Sequence, residues 1–213
     1  MRVDIWSDLV CPWCYVGKRR FENALARFDD EVQIVHRSFQ LNPAAPSDHI
    51  SSRREMLMEK YRLSPAQAMQ MDARMTQTAA AEGLEFHLEG TVTGNTFDAH
   101  QLMHLAYARG VQDEVIERFY RAYFTEQRSL FAQDSLVALA TEAGLTRDEA
   151  AATLVDNRYA EAVKEDIEIA RQLGVTGVPF FVIDDRDGIS GAQAPDTFLD
   201  VLQRVAGDHQ SVG

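Results

Sequence analysis

The feature that most limits what this chain can fold into is the run Asp8-Leu9-Val10-Cys11-Pro12-Trp13-Cys14-Tyr15. Its two cysteines are the only ones in 213 residues. Val3, Ile5 and Trp6 just before it form a short apolar run of strand character. After it come Val16, Arg20, Ala24 and Phe28 at helical spacing, with Phe21 and Leu25 widening the apolar stripe. Proline is favoured at the first position of a helix, where its missing N–H costs nothing. Pro12 therefore predicts strand, loop and helix, with Cys11 at the helix N-terminus and Cys14 one turn inside.

That placement carries chemistry. Unpaired N–H groups and the macrodipole favour negative charge at a helix start, and thiols ionise most readily there. Cys11 is the expected nucleophile. Cys14, shielded in the helix, can attack a disulfide formed on Cys11, the division of labour that thiol–disulfide exchange requires. The competing reading is two small apolar residues packed three apart on a helix face. The strand-loop-helix context, the proline and the absence of other cysteines favour redox chemistry. Two cysteines cannot staple a small scaffold. No second Cys-x-x-Cys completes a zinc site, and His36, His49, His87, His100, His104 and His209 are scattered, so no metal is expected.

Val32 to Phe39 reads as a second strand, and two strands joined through a helix predict a parallel βαβ unit. From Ser51 to Leu173 the signals are helical. Ser64 caps before Pro65, and Gly83 stops that helix. Asn95 is the expected cap of a helix ending at Gly110, and Val115, Phe119 and Tyr123 mark the next. Asp134 is the expected cap of a helix closing at Gly144. Thr146 to Glu149 has the form of a capping box, and a last helix spans Tyr159 to Leu173. Strand character returns at Pro179 to Ile183, with Asp187-Gly188 as a hairpin turn before Ile189. Phe198, Leu199, Leu202 and Val205 line a closing helix, and the polar tail from Gly207 to Gly213 is expected to fray. The predicted architecture is an α/β domain split into residues 1–45 and 173–213, with a mixed four-stranded sheet, around an all-helical insertion at 46–172.

A formal charge of -12 leaves no basic excess for nucleic acid. Arg19-Arg20 and Arg53-Arg54 read as solvated helix faces. No stretch is long and apolar enough for a membrane span. The acidic, strand-like N-terminus lacks the pattern of a secretion signal, so a cytoplasmic location is expected.

Proline at the mouth of a strand is tolerated where an interior proline is not. A cis bond before Pro179 would turn the chain and present the Val178 carbonyl and N–H to an extended substrate; a trans proline starting the strand is the alternative. Together, Cys-Pro-Trp-Cys after the first strand and Val-Pro before a late hairpin resemble the thioredoxin fold. The segments "SDLVCPWCYVGKRRF", "NTFDAHQLMHLA", "GVTGVPFFVID" and "ISGAQAPDTF" resemble the DsbA family in its FrnE-like branch. The resemblance implies a thioredoxin-like fold with a large helical insertion, Cys11 as nucleophile, Cys14 as resolving thiol and Pro179 as a cis-proline opposite them. The related kappa-class glutathione transferases and 2-hydroxychromene-2-carboxylate isomerases usually carry serine where Cys11 stands, which weighs against their chemistry here. Many thioredoxin-fold enzymes place a buried acid six residues before the nucleophile, and Ile5 stands there.

The candidate substrate-binding residues are Pro12, Trp13, Val178, Asn95 and His100. Trp13 is either an apolar platform for substrate or an aromatic packed on the insertion. Asp8 either takes a proton or, as loop acids more often do, satisfies backbone donors. His100 either stabilises the thiolate or is a structural histidine. Met56, Met58, Met69, Met71, Met75 and Met103 could form a soft peptide-binding surface, with helical core the safer reading for most. The expected function is a thiol–disulfide oxidoreductase acting on protein or small-molecule thiols and disulfides. It requires no cofactor, with glutathione a candidate co-substrate and neither nucleic acid nor membrane as partner. The alternatives are a glutathione-dependent isomerase or transferase on an aromatic or polyketide metabolite, and a redox-sensing peptide-binding or chaperone module.

Overall fold

In the computed structural model, which describes residues 1–46 and 50–211 and side chains as far as Asp208, the chain runs through six strands and nine helices among the described residues. They are β1 (Arg2–Ser7), α1 (Pro12–Leu25), β2 (Gln33–Ser38), β3 (Ser51–Ser52), α2 (Arg53–Tyr61), α3 (Pro65–Ala81), β4 (Val92–Thr93) and α4 (Phe97–Arg109), and then α5 (Gln112–Phe124), α6 (Gln133–Glu142), α7 (Arg147–Val155), α8 (Ala160–Gln172), β5 (Phe180–Ile183), β6 (Asp187–Ser190) and α9 (Pro195–Ser211). His49 lies outside the described residues, as does the side chain of His209.

The main sheet has the order β2-β1-β5-β6. β1 and β2 are parallel from Arg2↔Gln33 to Ser7↔Ser38, as a crossover through α1 requires, while β5 and β6 run antiparallel. Side chains alternate along β1 and so define the layers. Val3 and Ile5 pack with Phe21 of α1, Phe181 and Phe198 of α9. Trp6 turns to the other face, against Ala170 of α8, Val175 and Val182, and its indole N–H donates to the Asp166 carbonyl at 2.9 Å. A third apolar body, built from α3 to α7, takes in Leu9, Cys11, Cys14, Tyr15 and Val16. α1 therefore shows its first turn to the helical body and its later turns to the sheet.

Some local signals resolve differently from their sequence reading. The hairpin turn is Asp184–Arg186, closed by Arg186 N–H to the Ile183 carbonyl at 3.0 Å, with Asp184 and Asp185 at φ 47° and 56°. Asp187 and Gly188 belong to β6. Gly188 is small because the Phe180 ring covers it, with Cζ 3.0 Å from where a Cβ would stand. α6 starts at Gln133, so Asp134 lies in its first turn instead of capping it; Ser129 Oγ accepts from the N–H groups of Phe131 and Ala132. Thr146 is the N-cap of α7 but makes no side-chain bond, and Glu149 pairs outward with Arg109. Ser64, read as a cap, does more than that and closes a capping box with Gln67. β3 and β4 form a two-residue ribbon that no sequence signal announced. α9 continues through Ser211, so residues 207–211 are helical where fraying was expected; residues 212–213 lie outside the described residues. Arg53, read as solvated, is buried against Asp72. Of the six methionines considered for a peptide-binding surface, Met75 and Met103 are core, while Met69 and Met71 are exposed.

Candidate active site

β1 delivers the chain to a tight loop in which Cys11 N–H donates to the Asp8 carbonyl at 3.0 Å. Cys11 is the N-cap of α1, in extended conformation, with Pro12 next and no acid in the first turn. Its carbonyl accepts from Cys14 N–H at 3.0 Å and Tyr15 N–H at 3.4 Å. Its side chain makes no capping bond, so the sulfur stays free of the helix end. No disulfide joins the two cysteines. Cys11 is 5% exposed and Cys14 2%, so the first grazes the surface and the second lies behind it.

Pro179 meets this run. The Cys11 thiol lies 3.6 Å from the Val178 carbonyl, and the Val178–Pro179 bond is cis. Pro179 is buried and Val178 partly so. On the α1 side the close approach depends on Gly17: a Cβ there would stand 2.8 Å from Pro179 Cγ. A glycine inside a helical pattern was the available sign of it. Trp13 is 46% exposed, so it projects from the helix start and is not packed on the insertion. Pro12 beside it is partly exposed.

Burial first, then hydrogen bonding and charge interaction with the Cys11 sulfur, push the Cys14 thiol pKa well up; the Asp8 carboxylate adds to this, while Asp8's backbone acts against it. Beneath the pair, Tyr15 stacks on Tyr120 with ring centroids 4.8 Å apart, and its hydroxyl donates to Glu117 at 2.7 Å.

The other candidates divide. Asn95 ties segments together: its Oδ1 accepts from Phe97 N–H at 2.9 Å and from Gln40 Nε2 at 3.0 Å, and its Nδ2 donates to the Ala45 carbonyl at 2.6 Å. Thr96 is the residue in the N-cap position of α4, so Asn95 acts one step outside it. Asp8 is buried and its Oδ2 accepts from Leu41 N–H at 2.7 Å. His100 is wholly buried in α4 and faces Asp8. His104, one turn on, turns elsewhere: its Nε2 lies 3.0 Å from Asp166 Oδ2 and 3.1 Å from Ser38 Oγ.

Helices on both faces of a mixed sheet, with paired cysteines where the first helix leaves the central strand, make this a thioredoxin-fold protein with a helical insertion. Residues 2–203 match the DSBA-like thioredoxin domain, and the chain belongs to that family. It is 46% identical to a probable DsbA oxidoreductase of Streptomyces coelicolor, with a TM-score of 0.94 over 97% of this chain and 90% of that one. A 2-hydroxychromene-2-carboxylate isomerase superposes with a TM-score of 0.73 at 18% identity, over 100% of both chains. The cytosolic disulfide reductase DsbM of Pseudomonas aeruginosa, solved with glutathione, does so at 0.69 and 16%, over 97% and 99%. At such identities the last two share the fold alone. Among the described residues no helix is long and apolar enough to cross a membrane.

Proposed function

We propose that this protein is a thiol–disulfide oxidoreductase in which Cys11 attacks and Cys14 resolves. The observation that carries the reading is the position of the Cys11 sulfur, at the head of α1 and 3.6 Å from the Val178 carbonyl, with Cys14 enclosed behind it. In the reducing direction the Cys11 sulfur attacks a substrate disulfide, and the helix N-terminus stabilises the negative charge that it brings. One substrate sulfur leaves as thiolate, and a mixed disulfide remains on Cys11. Cys14 then attacks Cys11 and expels the second substrate sulfur. The oxidising direction runs these steps backwards. Trp13 and Pro12 form the rim against which the substrate lies, and Val178 offers backbone groups to an extended chain.

A peptide or small thiol fits this site, and glutathione is the small thiol we favour as co-substrate, since a disulfide reductase of the same fold has been solved with it. The cytosolic setting of that reductase supports a cytoplasmic, reducing role. Insulin reduction by the purified protein tests the reading, with Cys11→Ser as control. Turnover that vanishes in the variant supports it, and equal turnover in both sinks it.

The isomerase of the same fold favours a second reading, glutathione-dependent turnover of an aromatic metabolite. That activity would survive Cys14→Ser and be lost in Cys11→Ser, whereas disulfide reduction needs both sulfurs.

A further inference from the structure

Behind the cysteine pair, Asp8 Oδ1 and both ring nitrogens of His100 have no hydrogen-bond partner. Asp8 is 1% exposed and His100 wholly buried. His100 Nε2 stands 3.5 Å from Asp8 Oδ1, at the outer edge of hydrogen-bond range. Unpaired buried polar atoms cost stability, so their presence calls for a use. The rest of Asp8 is committed. Oδ2 holds Leu41 N–H, and the carbonyl holds Cys11 N–H with the Tyr120 hydroxyl 3.5 Å away. Oδ1 is thus a fixed, open acceptor in the loop that closes on the cysteines.

The chemistry lacks an acceptor in the same place. Cys14 must lose a proton before it attacks Cys11, and it is buried. β1 offers no open acceptor, because its only acid, Asp4, is buried and held by Arg2 and Arg37. We propose that Asp8, positioned by His100, takes the proton of Cys14 during resolution. This rests on the oxidoreductase reading and deepens it. The Cys14 S–H bond breaks and its proton passes to Asp8, with His100 closing onto Oδ1. The Cys14 electron pair forms the bond to Cys11 Sγ. The bond from Cys11 to the substrate breaks, and its electron pair leaves on the substrate sulfur, which takes a proton from solvent. Asp8 then returns its own proton to solvent. The cysteine pair is oxidised by two electrons and the substrate disulfide is reduced by two.

The other titratable groups facing this cluster are Cys11 on α1 and Tyr120 and Tyr123 on α5. Burial holds both phenols protonated well above neutral pH, and Arg53 and Asp72 lie beyond Tyr123. Neither phenol competes for the proton, and the Cys11 sulfur is bonded to substrate when Cys14 attacks.

Stopped-flow reaction of the reduced protein with 5,5′-dithiobis(2-nitrobenzoate) separates the steps. The first nitrothiobenzoate released reports attack by Cys11, and the second reports resolution by Cys14. Asp8→Asn and His100→Gln are expected to leave the first phase within about twofold. They slow the second about tenfold or more near neutral pH and move its pH profile upward, as loss of a positioned proton acceptor requires. An unchanged second phase, or equal slowing of both phases, overturns the proposal. The first phase and far-UV circular dichroism report folding, so one folded variant is enough to decide. If neither folds, the solvent deuterium effect on the second phase of the unaltered protein decides instead. A ratio near one overturns the proposal, and about two or more supports it. An unaltered protein that releases one nitrothiobenzoate only, or a Cys11→Ser variant that still releases the first, sinks the oxidoreductase reading itself.

Discussion

Gly17 illustrates how a single residue can set the geometry of this site. Glycine inside a helix costs roughly 0.5–1 kcal/mol against alanine, so propensity alone favours Gly17→Ala. Packing opposes it: the new methyl would lie 2.8 Å from Pro179 Cγ and 3.4 Å from Ala192 Cβ. Neither neighbour has a rotamer that can swing aside. Overpacking of this kind costs about 1–3 kcal/mol, so the clash wins. Gly17→Ala is expected to lower the urea midpoint and to change the rate at which iodoacetamide alkylates Cys11. A more stable variant with unchanged alkylation would remove Gly17 from the site. The cysteines and Pro179 were legible because a helix-starting proline and a strand-mouth proline are local signs. The reason for Gly17 lies in a segment far along the chain, and no local pattern states it. Asp8 was half legible. Its bond to Leu41 N–H is the expected loop role, but the open Oδ1 beside His100 depends on how α4 packs.

At the scale of elements, the features that read correctly are those that the chain settles within one turn. Pro12 and Pro65 start helices, Ser64 caps α3, and Gly110 ends α4 at φ 71°. The misread ones depend on distant partners: Glu149 is drawn away by Arg109, and the β3–β4 ribbon exists only where two loops meet. The edge of β2 shows the same dependence. As an outer strand it presents unpaired backbone groups, a liability that proteins cover. Here α5 and α8 cover it with side chains. The Gln112 amide accepts from His36 N–H and donates to the His36 carbonyl, each at 3.0 Å. Asp166 accepts from Ser38 N–H at 2.8 Å. Gln112 is 8% exposed and His36 4%, so leucine at position 112 strands two backbone groups where water cannot reach. An unsatisfied buried group costs about 1–3 kcal/mol. Gln112→Leu is therefore expected to destabilise by about 2 kcal/mol or more in urea unfolding, and to speed amide exchange at His36. A loss of less than about 0.5 kcal/mol would show that the amide clamp contributes little beyond ordinary surface substitutions.

Across the whole molecule, the charge and the buried acids bias stability in one direction with pH. On the acid side, Asp113 is held down to about 2, first by its bond from His36 and then by Lys18. A depressed carboxylate adds stability above its unfolded value, and that stability is lost as pH falls through the folded one. The Asp113 side chain is 63% exposed, so solvent screens the contribution and this limb is shallow. On the alkaline side, burial raises Cys14, Tyr15, Tyr120 and Tyr123 above their ordinary values. For Lys18, burial works against the charge, but Asp113, Glu117 and Glu22 more than offset it and hold its pKa up. Each of these groups keeps its proton in the folded state at a pH where the unfolded chain has released it. The native state then binds more protons, so stability falls as pH rises. The loss begins near the ordinary thiol value of about 9 and deepens through the phenol value of about 10. Each group steepens it by up to about 1.4 kcal/mol per pH unit. A net charge of -12 acts in the same sense, because acid relieves self-repulsion where alkali adds to it. Urea midpoints measured across pH are expected to hold a plateau from roughly pH 4 to pH 9, with a steeper alkaline than acid limb. Cys14→Ser removes the first group to titrate, so the alkaline fall in that variant is expected to start later, near the phenol range. An alkaline limb no steeper than the acid one, or one that Cys14→Ser leaves in place, would mean that the thiol buried behind Cys11 is not held protonated by the fold.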